Sequence, residues 1–338
     1  TFTKIKKTVL GSVSIISQSG GLAIDVLRRG SIEGIKYNSI VSIGNSIDIG
    51  ANELLRYYLD DINTKVIGIY IESIHDGRTF YKLLRNRKTL KPIIILKGGR
   101  SLAGSRAAAS HTGSLSNDYR SWDALSKQTG ATLVNDLDEF ISTLLIFQNY
   151  RPLLTLGKNS ALLFGNGGGA SVIAADQCEE MGLDLSMVES EAIEKKYLKE
   201  DLKAISLVNP IDVPANILQK SSGDIMIKII SNILSFQEFS NIIIHLYMSV
   251  FYGYNDNLML GNLYKSIKNL NNKYFKKNRI LIVLRSDRSP EVEEIKKDFQ
   301  RKLINNGITV LSETKNAALG IASIVDFEKF VLRKNSCK

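Results

Sequence analysis

Short, unbroken apolar runs alternating with helical patterns constrain this chain more than any other feature. In the first half the runs are VSIIS (13–17), YNSIVSI (37–43), VIGIYIE (66–72) and PIIILKG (92–98). GLAIDVLRRG, ANELLRYYLDD and GRTFYKLLRNR follow the first three as helical patterns. Further helices are predicted around YRSWDALSKQTG and LDEFISTLLIFQN, with a short ATLV strand between them. A strand with one wet face alternates apolar and polar residues, and these do not. They are therefore predicted to be buried on both faces, the mark of βαβ units in a parallel doubly wound sheet.

NYRPLLTLGKNS (149–160) breaks the rhythm and reads as a linker. A second series follows: ALLFG into GASVIAADQCEEMG, then SNIIIHLYM (240–248) and RILIVLRS (279–286). SPEVEEIKKDFQRKLINNG (289–307) has Pro290 in its first turn and reads as an amphipathic helix before ITVLS. The expected architecture is α/β, two doubly wound domains split near residue 155, spanning 1–152 and 156–338. A chain of 338 residues is long enough for both cores.

Each domain opens alike, with a strand, a glycine-rich turn and a helix. The turns are SQSGGLAID (17–25) and GNGGGASVIAAD (165–176). A helix N-terminus offers free backbone N–H groups and the positive end of the helix dipole, which together favour an anion such as phosphate. Ser17, Ser19, Gly20 and Gly21 in the first turn, and Gly167, Gly168 and Gly169 in the second, are the candidate phosphate-binding residues. The glycines are equally explained by tight strand-to-helix turns alone. Gly165, Gly167 and Ala170 also fit G-x-G-x-x-A, with Asp184 as candidate ribose ligand, so an NAD(P)-binding oxidoreductase is the alternative reading.

RAAASHTGSL (106–115) sets His111 among small residues that leave room for a large polar group. In an open parallel sheet, ligands bind outside the carboxyl ends of the strands. Glu72 closes one strand there, Lys97 and two glycines close another, and a loop carrying His111 is expected to follow. A neutral imidazole is a competent nucleophile toward phosphorus. A carboxylate can fix its tautomer and stabilise the charge that develops on the ring. His111 and Glu72 are the candidate catalytic residues. His75, three residues beyond Glu72 and expected to start a helix, is a rival. His245, inside an apolar strand, reads as a core histidine with a hydrogen-bond partner.

The net charge of +10, from 44 basic and 34 acidic residues, raises nucleic acid as a partner. The basic residues are scattered along helical patterns without the aromatic interleaving of a stacking platform, so none is expected. Cys178 and Cys337 form neither a disulfide framework nor a metal spacing, which fits a reducing, cytoplasmic compartment. No signal peptide is visible, and NIIIHLYMSVF is too short to span a bilayer. No membrane and no metal are expected. The chain starts at Thr1 with a strand-like run from residue 8, which suggests a piece cut near a domain boundary.

GRSLAGSRAAASHTGSL (99–115), SQSGGLAID, YIESI and NPIDV (209–213) together resemble the NDP-forming acyl-CoA synthetases. That superfamily includes succinyl-CoA synthetase and the ADP-forming acetyl-CoA synthetase. The resemblance covers nearly the whole chain, is closest to the ADP-forming branch, and implies two flavodoxin-like domains: a phosphohistidine domain, then a second CoA-ligase domain. It implicates His111 as the residue carrying phosphate and Glu72 as its contact. It also implies that the helices after the two glycine turns point at the phosphohistidine, so that the glycine edges of the two domains face each other. The implied reaction is acyl-CoA plus ADP plus phosphate giving carboxylic acid, CoA and ATP. CoA and Mg-ADP or Mg-ATP are expected through CoA-binding and ATP-grasp domains that this chain lacks, in cis or as separate subunits, with an acyl phosphate intermediate. A homo- or hetero-oligomer is expected, and no cofactor held tightly by this chain alone. A non-catalytic regulatory module of the same fold is a further alternative.

Overall fold

A computed structural model describes residues 10–112, 119–153, 156–189, 205–221, 224–253 and 256–336. Contacts divide the chain into two compact units, Thr1–Tyr150 with Asp326–Lys338, and Arg151–Val325.

In the first unit the apolar runs become β1 (Val13–Ser17), β2 (Tyr37–Ser42), β3 (Val66–Ile71), β4 (Ile93–Lys97) and β5 (Thr132–Val134). All pair in parallel, in the order β2-β1-β3-β4-β5. Helices α1 (Gly20–Glu33), α2 (Ala51–Asp60), α3 (Gly77–Asn86), α4 (Leu102–Thr112), α5 (Tyr119–Thr129) and α6 (Leu137–Gln148) connect and cover them. On one face Ile16, Ile67, Ile69 and Ile95 pack with Leu55, Tyr58, Phe80 and Trp122. On the other, a Cβ at Gly68 would lie 2.6–3.0 Å from Ile15, Phe140 and Leu144, so the bare glycine lets α6 lie against β3. The central strands β1, β3 and β4 are buried on both faces, as unbroken apolar runs require, while the edge strand β2 is half-buried.

The second unit repeats the plan. β6 (Ala161–Gly165), β7 (Ile211–Asp212), β8 (Asn241–Tyr247), β9 (Arg279–Arg285) and β10 (Thr309–Leu311) pair in parallel in the order β7-β6-β8-β9-β10. Numbered within each unit, both sheets read 2-1-3-4-5, the flavodoxin-like order. α7 (Gly168–Glu180) leaves β6 through the second glycine turn. The two doubly wound sheets match the fold class read from the sequence.

The last helix, Thr314–Ser336, ends in the first unit. Phe327 packs edge-on against Phe147 and Tyr150, and Phe330 lies 4.8 Å from the Arg87 guanidinium. A sequence reading assigns all of 156–338 to the second domain, because apolar periodicity shows that a helix is buried but not which sheet it covers.

One local expectation changes. The segment before His111 is helix α4, not a loop. Its RAAAS stretch has strong intrinsic helix propensity, which outweighs the flanking glycines. His111 stands in its last turn, about 13 Å along the axis from Leu102 at 1.5 Å per residue. Its side chain, and residues 113–118, lie outside the described residues.

Candidate functional site

The first unit gathers its polar groups at the carboxyl ends of β1 and β3, where the strand order reverses and doubly wound folds bind ligands. Ser19 caps α1, its hydroxyl accepting the Leu22 N–H at 3.2 Å. Gly20 and Gly21 form the exposed first turn of the helix. A Cβ at either would meet nothing nearer than 3.7 Å. Their N–H groups have no acceptor within the helix and none among the described residues. This is an open seat for a small anion.

Ser17 does not contribute to that seat. It is fully buried, its hydroxyl donating to the Ser19 carbonyl at 2.7 Å and accepting the Ser19 N–H at 3.2 Å. The hydroxyl closes the turn from within and has no proton to offer an outside phosphate. Ser19 retains its hydroxyl proton while capping.

Glu72 follows β3 directly and is held at several points. Its backbone N–H donates to Gln18 Oε1, which also accepts the Ser73 N–H at 3.0 Å. The Gln18 amide donates to the Ser73 carbonyl at 2.9 Å. Tyr70 donates its phenol proton to Glu72 Oε1 at 2.9 Å. Burial and the neighbouring carboxylate hold the Tyr70 phenol well above its usual pKa, so it stays a donor. Lys97 Nζ donates to the Glu72 carbonyl at 2.8 Å and to that of Gly98. Burial lowers the Lys97 pKa, and the charge of Glu72 partly offsets this. Glu72 is thus a fixed carboxylate with Oε2 left for a ligand or an imidazole. His75 is exposed, ahead of α3 rather than starting it. It lines a cavity of about 300 Å³ with Gln18, Ser46, Asp48, Asn52 and Asp76.

The second turn is built differently. Gly167 caps α7, but its N–H donates to Asp212 Oδ1 at 2.8 Å. A Cβ on Gly168 would lie 3.6 Å from Asp212 Oδ2, while nothing stands near Gly169. The NPIDV segment therefore supplies its own carboxylate to the α7 N-terminus. That internal anion takes the Gly167 N–H and stands at the positive end of the α7 dipole, which would also draw a phosphate. Asn166 next to it accepts the Tyr247 N–H at 2.7 Å, tying β6 to β8 as Gln18 ties β1 to β3.

Two further sequence expectations change. Asp184 bridges to Ser160 at the amino end of β6. Gly165 lies five residues further, about 16 Å along the strand. Asp184 is thus at the wrong end to serve as ribose ligand to the glycine turn. His245 is buried at 2% exposure, but its Nε2 has no hydrogen-bond partner among the described residues. Burial, with the charge of Arg285, pushes its pKa down to about 4.

Sequence reasoning put Glu72 at the end of a strand, and Glu72 does follow β3 directly. It missed Gln18, Tyr70 and Asp212, whose partners are set by topology. Among the described residues no three His, Cys, Asp or Glu side chains are placed to hold a metal ion, and no helix is long and apolar enough to cross a membrane.

Comparison with known proteins gives this geometry a family. Residues 10–147 match the succinyl-CoA ligase like flavodoxin domain. The alpha subunit of the Pyrococcus furiosus acetate–CoA ligase [ADP-forming] II is 36% identical over 217 residues, covering 64% of this chain and 46% of that protein. The 4-hydroxybutyrate–CoA ligase [ADP-forming] of Nitrosopumilus maritimus is 32% identical over 215 residues, covering 63% of this chain and 30% of that protein. The chain spans less than half the length of these two relatives. A solved structure of Ca. Korarchaeum cryptofilum dinucleotide forming acetyl-coenzyme A synthetase 1, in complex with phosphate and ADP, shares the fold. Its TM-score is 0.75 at 24% identity, over 97% of this chain and 68% of that one. Residues 10–147 of the first unit are therefore a succinyl-CoA ligase like flavodoxin domain, and the chain is a homologue of ADP-forming acyl-CoA ligases.

Proposed function

We propose that this chain is the phosphohistidine relay core of an ADP-forming acyl-CoA synthetase. Phosphate displaces CoA from the acyl thioester and forms an acyl phosphate. A ring nitrogen of His111 attacks phosphorus, forming P–N as the P–O bond to the carboxylate breaks. The phosphoryl group then passes to ADP, giving ATP and the free imidazole. CoA and Mg-ADP are taken up by CoA-binding and ATP-grasp domains, in cis or on partner subunits. The free energy of the thioester is kept in the P–N bond rather than lost to water.

The observation that carries this reading is the fixed carboxylate of Glu72 beside the open turn at Gly20 and Gly21. Phosphoryl transfer asks a protein mainly for positioning and charge stabilisation. The turn supplies N–H groups to the phosphoryl oxygens, and Glu72 orients and stabilises an imidazolium. The relatives' names support the reaction class, and they differ in the acid they activate. At the second turn Gly168 and Gly169 can still approach a phosphoryl group, with Asp212 beneath them.

The test is incubation of the chain with acetyl phosphate and intact-mass analysis under mild alkali, where phosphohistidine survives. The expected result is a gain of one phosphate, lost in acid and absent in His111→Ala. An equal gain in His111→Ala contradicts the relay. A phosphorylated parent that never passes phosphate to ADP, even with a supplied nucleotide-binding subunit, favours a regulatory module instead.

A further inference from the structure

Lys97, the last residue of β4, is only 3% exposed, yet it carries an ammonium group. Among the described residues no carboxylate pairs with Nζ. Its hydrogen-bond acceptors are the backbone oxygens of Glu72 and Gly98. The Trp122 ring lies 5.6 Å from Nζ, within reach of a cation–π contact. Burying a cation that no carboxylate pairs directly is costly even with the Glu72 charge nearby, and a methionine or leucine here would pack against Trp122 without that cost. What such a residue would lack is the pair of N–H donors.

The two carbonyls stand at informative places. Glu72 is the candidate orienting carboxylate. Gly98 begins the Gly98–Gly99 turn from β4 into the segment of α4 and His111. Its own N–H donates to the Ile71 carbonyl at 2.9 Å, so the ends of β3 and β4 are joined at two levels. A Cβ on Gly98 would lie 2.9 Å from the Tyr70 phenol and 3.2 Å from Glu72 Cγ. Tyr70, Glu72, Lys97 and Gly98 thus form one packed unit.

We propose that Lys97 is a positioning residue, whose ammonium ties the end of β3 to the root of the His111 segment and so fixes where the Glu72 carboxylate stands. The inference rests on the relay proposed above. Lys97 touches neither phosphate nor histidine in this account and acts only through Glu72.

The experiment is a double-mutant cycle on the full chain. The rate of acid-labile phosphate incorporation is measured against acetyl phosphate concentration for the parent, Lys97→Met, Glu72→Gln and the double variant, with thermal midpoints recorded. Lys97→Met is expected to lower the limiting rate about 10- to 100-fold, the scale of a reacting group misplaced by about 1 Å, with little change in half-saturating acetyl phosphate. In the Glu72→Gln background the same change should cost no more than about twofold, because the residue it acts through is already disabled. Should Lys97→Met not fold, Lys97→Gln, which retains an N–H donor, runs the same cycle with a smaller expected loss. An unchanged limiting rate, or losses that simply multiply in the double variant, overturns the inference while leaving the relay standing. A parent with no His111-dependent phosphate overturns both.

Discussion

The phenol of Tyr70 donates to Glu72 Oε1 at 2.9 Å from two residues upstream on the same strand end. Residues i and i+2 share a face of a strand, and β3 ends between them at Ile71. Glu72→Gln keeps the shape of the side chain and removes its charge. It is expected to slow phosphohistidine formation about 100-fold, the scale of losing one group aimed at developing charge. Tyr70→Phe removes one hydrogen bond and should cost about 3- to 10-fold. Quenched-flow labelling checks both. Glu72→Gln at the parental rate excludes Glu72 as the orienting group.

Gly21 is exposed, and a Cβ there would come no closer than 3.9 Å to Ser19 Oγ. Gly21→Val should therefore leave stability within about 1 kcal/mol of the parent. The branched side chain stands over the free N–H groups, so labelling should fall at least about tenfold. Urea midpoints and labelling rates together check this. Equal losses of stability and labelling point to a purely structural turn.

Asp212 makes the second turn respond oppositely to charge. Asp212→Asn can still accept the Gly167 N–H but loses the anion at the α7 N-terminus, a change of about 0.3–1 kcal/mol. It should also let sulfate or phosphate raise the thermal midpoint more than in the parent, since repulsion is gone. Melting curves with and without sulfate test it. No change in either quantity means that the carboxylate does not hold this turn.

His245 makes stability depend on pH. Its pKa is pushed down to about 4 in the fold, against about 6.5 unfolded. Between those values the unfolded chain binds the proton and the fold does not. Its contribution is therefore complete above about pH 6.5 and is lost as pH falls toward 4, by at most about 3 kcal/mol. Urea unfolding at pH 7 and pH 5 should show the loss, and His245→Leu should flatten the slope. An unchanged slope in the variant assigns the effect elsewhere.

Most strands were legible because they are apolar runs such as VIGIYIE or PIIILK, which a sheet covered on both sides accommodates. The position of Glu72 was legible because a charged residue closing such a run lands at the carboxyl edge of the sheet. α4 was not, because glycines at 98, 99 and 104 signal a loop while RAAAS favours a helix, and the helix wins. β7 escaped because two residues carry no period. Gln18–Glu72 and Gly167–Asp212 pair across 54 and 45 residues of sequence, so only the strand order reveals them. Ser17 shows the converse, a hydroxyl in a plausible place that the turn uses for itself.

The most direct test of the relay is mapping of the phosphorylated residue by mass spectrometry in alkali after treatment with acetyl phosphate. His75 lines the cavity beside Gln18, three residues beyond Glu72, and is the competing acceptor. The account predicts phosphate on His111, with Glu72→Gln lowering it and His75→Ala leaving it intact. Phosphate on His75, or on neither histidine, contradicts it.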